Sequence, residues 1–207
     1  AQLIRDGDTI TVTSSSGLLV PDKMLEVIGK RYVQTKSPSD LTVVLPIAVG
    51  DSAGLAGLEH MAHEGMIKRL VGGSYVVGGR NANLKINQMI FDNEVEAYNF
   101  PQGVLMHLMR DIAAKKPGVI TKVGLGSFVD PEYGGGKLNE RTKEDLVRHI
   151  KIEDEDYLLY KSFPINVAIV RATTADEHGN LSFEKEAAYL GVLHQAMAAH
   201  NSGGIVI

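Results

Sequence analysis

Pro101-Gln102-Gly103 stands where an alternating acidic stretch, DNEVEAYNF, runs straight into a helical stripe of Val104, Leu105, Leu108, Met109 and Ile112. A helix entry usually carries Ser, Thr, Asp or Asn, whose side-chain oxygen accepts from a free backbone N–H. This junction offers a residue with no N–H, a neutral amide and a bare backbone. Gly103 would bring its N–H to the start of the helix, where the dipole favours negative charge, and Gln102 adds an uncharged donor. Pro101 stiffens the approach. Such a set suits a carboxylate or a developing oxyanion. At this level, a turn that only redirects the chain explains the same three residues equally well.

The other chemistry-bearing patterns are weaker. His60 and His63 lie in EHMAHEG, an H-x-x-H-E order that is neither H-E-x-x-H nor its inverse. Helix-surface or capping histidines, and no metal, are expected there. Asp176-Glu177-His178-Gly179-Asn180 lacks the alternating carboxylates and distal Glu of a calcium loop and reads as a tight polar turn. GGSYVVGG matches neither a Walker loop nor G-x-G-x-x-G, and Gly124-x-Gly126 lacks a third glycine. Glu94 and Glu96 share one face of an extended stretch, where they fit a polar sheet edge better than a catalytic pair. Ser14-Ser15-Ser16 has no nucleophile elbow around it, so its use is anion-facing backbone, with Ser16 and Gly17 as candidates.

Composition narrows the classes. With 207 residues and a net charge of -4, the chain fits one sizeable soluble α/β domain rather than a nucleic-acid binder. It contains no cysteine, which removes disulfides, thiolate zinc sites and a Cys nucleophile. No apolar run approaches membrane-spanning length, so no membrane partner and a cytoplasmic setting are expected.

The positioning elements alternate strand and helix. Thr9–Thr13, Leu41–Ile47, Tyr75–Val77, Asn93–Asn99, Val119–Val123, Tyr157–Tyr160 and Asn166–Arg171 read as strands. Helices are expected after Pro21, through GLEHMAHEGMIKRL, from Val104 to Ile112, and over Glu184–His200. Solidly apolar strands such as LTVVLPI imply an open, mostly parallel sheet with helices on both faces. In such folds ligands sit beyond the carboxyl ends of the strands. Ser14–Gly17, Ala48–Gly57, Gly124–Pro131, Ala172–Asn180 and the Pro101–Gly103 turn are expected there. Both chain ends look cut: Ala1-Gln2-Leu3-Ile4 is already apolar, and Ile205-Val206-Ile207 has the look of an unfinished edge strand.

Taken together, LTVVLPIAVGDSAGLAGLEHMAHEGMIKRLVGG, NEVEAYNFPQGV, KPGVITKVGLGSFVDPEYGGGKLN and FPINVAIVRATTADEHGNLSFEKEA resemble the amino-terminal half of a family I coenzyme A transferase. The likeness is to fused enzymes that exchange CoA between short-chain acids such as acetate and propionate. It implies a ping-pong transfer in which a glutamate carboxylate attacks the acyl-CoA thioester and later carries the CoA itself. In that family the glutamate belongs to the carboxyl-terminal half or a β subunit, and no residue here matches its position. The resemblance therefore implies a partner half or β subunit, short-chain acids and their CoA thioesters as substrates, an oligomer, and no activity of this chain alone. It places Pro101, Gln102 and Gly103 at the active site and gives Gly124, Gly126 and Phe128 the acyl pocket, with Phe128 limiting chain length. The two-subunit ketoacid branch carries a glycine-rich first loop and paired asparagines after the second strand. Here Ser14–Gly17, Pro46 and Ile47 stand instead. That departure removes a side-chain oxyanion donor at position 47 and leaves a backbone N–H of Val49 or Gly50 for the role. Two other classes, a non-catalytic small-anion-binding domain and a sugar-phosphate isomerase on a related sheet, share the sheet architecture.

Overall fold

The structure is a computed structural model that describes residues 1–51, 53–75 and 84–207. Six strands form a wholly parallel sheet: β1 (Thr9–Val12), β2 (Leu41–Leu45), β3 (Ile67–Gly72), β4 (Glu96–Asn99), β8 (Val167–Ile169) and β11 (Ile205–Val206), in the order β11-β8-β1-β2-β3-β4. Val43, Val44 and Leu45 are all fully buried, as a strand covered on both faces requires. One face packs against α1 (Asp22–Thr35), the turn Leu58–Met61 and α2 (Lys85–Phe91). The other carries α3 (Gln102–Ala113) and α4 (Val192–Asn201). The expected architecture is therefore present.

Beside α3 lie two of the expected strands, near Val119 and Tyr157, joined by a third and by an antiparallel pairing that the sequence pattern does not announce. β5 (Gly118–Thr121), β7 (Glu155–Lys161) and β6 (Val147–Ile152) form a separate antiparallel sheet in the order β5-β7-β6. β9 (Thr174–Ala175) and β10 (Leu181–Ser182) close a small hairpin around the Asp176 turn, whose carboxylate accepts the N–H groups of His178 and Asn180.

Three sequence expectations need correction. The segment GLEHMAHEGMIKRL is a short turn and then β3, because Gly57 and Gly65 take φ of +75° and +79°, outside helical space. Glu59 does not continue a helix but caps α2, accepting the N–H groups of Lys85 and Ile86 at 2.8 and 3.0 Å. The last helix starts at Val192, not Glu184, since Leu190 and Gly191 both have positive φ. Of the proposed strand Tyr75–Val77, Tyr75 lies past the end of β3, and Val76 and Val77 lie outside the described residues.

Aromatic packing locks the second sheet to the first. Phe100 packs between Tyr98, tilted at 43° and 5.6 Å from its centroid, and Tyr160, edge-on at 80° and 5.5 Å. Burial pushes the phenols of Tyr98 and Tyr160 up to about 12. The fold thus prefers their neutral forms. Their contribution to stability is complete below the ordinary phenol value of about 10 and is lost as the pH rises through about 12. Denaturant midpoints followed by circular dichroism should fall steadily across that window. A flat profile there contradicts the assignment.

Candidate active site at the carboxyl end of the parallel sheet

α3 begins at Gln102, with Pro101 at φ −56° and ψ 128° as its extended N-cap and no side-chain oxygen capping the helix. The first intrahelical bond is Leu105 N–H to the Pro101 carbonyl at 3.1 Å. The N–H groups of Gln102, Gly103 and Val104 precede it and have no acceptor within the helix. Gln102 and Gly103 are exposed, and a Cβ added at Gly103 would meet nothing within 4 Å. The turn therefore opens outward at Gln102 and Gly103, whereas Val104 is already buried.

The turn is seated on the strand ends by Gly73, just after β3. A Cβ there would collide with the Pro46 carbonyl oxygen and lie 3.2 Å from both Cα and Cβ of Gln102. Close approach of three backbones, after β2, after β3 and at the start of α3, is possible only because residue 73 has no side chain. Gly73 is missing from the sequence-based candidates. The signal for it is the glycine doublet after a strand in LVGGS.

The neighbouring loops are partly committed to one another. Ser16 N–H donates to the Ala48 carbonyl at 2.7 Å, and Gly50 N–H donates to the Ser16 carbonyl at 3.0 Å. The expectation of a free donor at Gly50 therefore does not hold, whereas Val49 N–H donates to no described residue. Gly17 is exposed beside this pair, with the Gly50 carbonyl oxygen 4.0 Å from an ideal Cβ. Short loops satisfy their own backbone groups wherever water is excluded, and Ser16 and Gly50 follow that rule.

Gly124–Pro131 needs a larger correction. It follows β5 of the antiparallel sheet, not a parallel strand. Gly124 serves packing: its φ is +100°, and a Cβ would lie 2.5 Å from the Tyr160 hydroxyl. The Gly126 N–H is taken by Asp130 at 2.8 Å. Phe128 is 54% exposed. The segment still borders the turn, because the Phe128 carbonyl accepts from Gly136 N–H at 3.0 Å and the Gly136 carbonyl accepts from Asn99 N–H at 2.8 Å. Ala172–Asn180 leaves the carboxyl end of β8 as the exposed hairpin.

His60, His63 and Glu96 have structural partners. His60 Nε2 is 3.1 Å from Asp22, and His63 stacks on Tyr32 at 6.0 Å. Glu96 pairs with Arg69, while Glu94 is exposed beside the strand at the sheet edge. Among the described residues no three His, Cys, Asp or Glu side chains gather as a metal site, and no helix is long and apolar enough to cross a membrane. A hollow of about 250 Å³ lined by Ser74, Tyr75, Asn87, Ile90, Phe91, Asn99 and Leu138 opens next to the strand ends. Larger hollows, of about 530 Å³ over α1 and about 300 Å³ beside Arg5 and Gly204, lie away from this turn.

A family model described as coenzyme A transferase matches residues 1–201. The chain belongs to the coenzyme A transferase family. Within that family, caffeate CoA-transferase of Acetobacterium woodii is 42% identical over 207 residues, covering 100% of this chain and 38% of that protein. Acetate CoA-transferase YdiF of Escherichia coli K12 is 38% identical over 205 residues, covering 99% of this chain and 38% of that protein. The solved structure of acyl-CoA transferase YdiF from E. coli O157:H7, a thioester complex with CoA, aligns with a TM-score of 0.92 at 38% identity. That alignment covers 99% of this chain and 39% of the other. The chain thus spans under two fifths of the length of these family relatives.

Proposed function

We propose that residues 1–207 form the amino-terminal domain of an enzyme that moves coenzyme A between a short-chain acyl-CoA, of the acetate or propionate type, and a carboxylic acid. The observation that carries this reading is the uncapped, outward-facing start of α3 at Gln102 and Gly103 in a chain of this family. Backbone N–H groups at a helix start, joined by a neutral amide, favour an oxygen gaining negative charge without pairing permanently with the acid that leaves.

In this mechanism the attacking group is a glutamate carboxylate of a carboxyl-terminal half or β subunit. It adds to the thioester carbonyl, the oxygen turns negative near Gln102, and the CoA thiolate leaves an acyl-glutamyl anhydride. The thiolate then attacks the glutamyl carbonyl, releasing the first acid and leaving a glutamyl-CoA thioester, from which a second acid collects CoA by the reverse steps. Each stage replaces one difficult exchange with two easier ones. Val49 N–H is a second donor, Ser16, Gly17 and Gly50 shape the adjoining loops, and Phe128, carried by the loop that Gly124 and Gly126 begin, walls the acyl chain. A site shared between halves favours a working oligomer, and a cytoplasmic location matches the expected substrates.

The test is direct. Acyl-CoA and acetate are incubated with this chain alone, with the carboxyl-terminal half alone, and with both, and CoA exchange is followed. Exchange only in the mixture is the expected result. Exchange by this chain alone would show that it carries its own nucleophile. Tight anion binding with no exchange in any mixture would favour a non-catalytic anion-binding domain.

A further inference from the structure

Asp130 has no part in the chemistry above, yet it is the one acidic or basic residue in the buried class among the described residues, 3% exposed. One carboxylate oxygen accepts Gly126 N–H at 2.8 Å, and the other accepts Glu132 N–H at 3.0 Å and faces His149 Nε2 at 2.7 Å. Burial alone would raise its carboxyl, but these donors outweigh burial and hold it below the usual carboxylate range. Breaking a buried charge away from its donors is costly.

The segment it ties is rich in glycine and folds back on itself, with Gly135 N–H donating to the Asp130 carbonyl and Gly136 N–H to the Phe128 carbonyl, both at 3.0 Å. Gly124, Gly126, Gly134, Gly135 and Gly136 all have positive φ, from +65° to +125°, and glycine runs carry the largest conformational freedom. Phe128 projects from this segment, two residues before Asp130. Its far end is fastened to the site, because a Cβ on Gly136 would lie 2.6 Å from the Phe100 ring, next to Pro101.

We propose that Asp130, with His149 as its donor, is a positioning residue for acyl-chain selectivity: it touches no substrate and fixes Phe128 beside the Pro101–Gly103 turn. This inference rests on the CoA-transfer reading and on Phe128 as the acyl wall. It predicts that loosening the carboxylate changes which acyl chains are accepted, rather than only how stable the protein is.

The experiment uses the full-length polypeptide and compares kcat and KM for acetyl-CoA and butyryl-CoA. Asp130→Asn is nearly isosteric but turns one acceptor into a donor facing an N–H. The butyryl-to-acetyl ratio of kcat/KM should rise about tenfold, the scale set by an added methylene or two at a pocket wall. Phe128→Ala should give the same shift, and the double variant should go no further. His149→Gln keeps an N–H donor and should retain the wild-type ratio, whereas His149→Ala should shift it. Thr142→Val removes the hydroxyl that accepts Ala97 N–H at 2.8 Å. It should lower the melting temperature and leave the ratio alone. Amide exchange across residues 124–136 should quicken in Asp130→Asn and His149→Ala but not in Thr142→Val.

A wild-type ratio in Asp130→Asn, or in His149→Ala if Asp130→Asn does not fold, overturns the inference. So does an equal shift in Thr142→Val. If Phe128→Ala leaves the ratio unchanged while Asp130→Asn moves it, Phe128 is not the wall and the inference fails in that form. Absence of CoA transfer by the wild-type full-length protein refutes the transfer reading itself and this inference with it.

Discussion

Gln102→Ala should lower turnover of the full-length enzyme about ten- to a thousand-fold, the range for losing one donor to a developing oxyanion. Its side chain is exposed at the first residue of α3, and Ala is the better helix former, so the fold should not suffer. The backbone N–H remains after the substitution, which is why the loss should stop short of abolition. How the loss divides is informative. A fall in kcat with KM unchanged means that the amide meets charge formed only in the transition state. A rise in KM alone means that it holds the substrate carboxylate in the ground state. Equal rates for variant and wild type, at equal melting temperature, would take Gln102 out of the site.

Gly73→Ala should be nearly as damaging from a position that offers no functional group at all. Its added methyl would run into the Pro46 carbonyl oxygen and crowd Cα and Cβ of Gln102 at 3.2 Å. Either the end of β2 or the start of α3 must then move. A displacement of about 1 Å in a reacting geometry costs about a hundred-fold in rate. Overpacking between backbones adds about 1–3 kcal/mol of destabilisation. Activity and thermal unfolding should therefore both respond, unlike Gln102→Ala, where only activity responds. The two substitutions share a contact, so their effects should combine to less than their product. Full multiplicativity, or normal activity in Gly73→Ala, would show that the turn is not seated through this glycine.

Particular residues explain which parts were legible. The stripe Val104, Leu105, Leu108, Met109 and Ile112 lies buried on α3 as its spacing requires. LTVVL is buried on both faces as its composition requires. In both cases a local period matches a local environment. On α1 the same rule places Leu25, Ile28 and Tyr32 inside, while Val33 is 56% exposed because the stripe is narrower than the run of apolar residues. GLEHMAHEGMIKRL misleads because its apolar spacing also fits a helix. Pairing of β3 between β2 and β4 wins, helped by left-handed glycines. VRHIKI is missed because only Val147 is deeply buried in it, so the strand shows little alternation to read.

Residue types and spacing already record the alternation of buried strands and amphipathic helices, the family, and the odd helix start at Pro101-Gln102-Gly103. These are recorded in neighbouring residues, where spacing and residue type act over a turn or two. Tertiary structure alone decided that Gly50 and Gly126 spend their N–H groups inside their own loops, that Gly73 seats Gln102, and that β5 leaves the parallel sheet. Those outcomes depend on backbones distant in sequence meeting at hydrogen-bond or van der Waals distance. No local period encodes such meetings, because which donor finds which acceptor is settled only when the sheets and helices have packed.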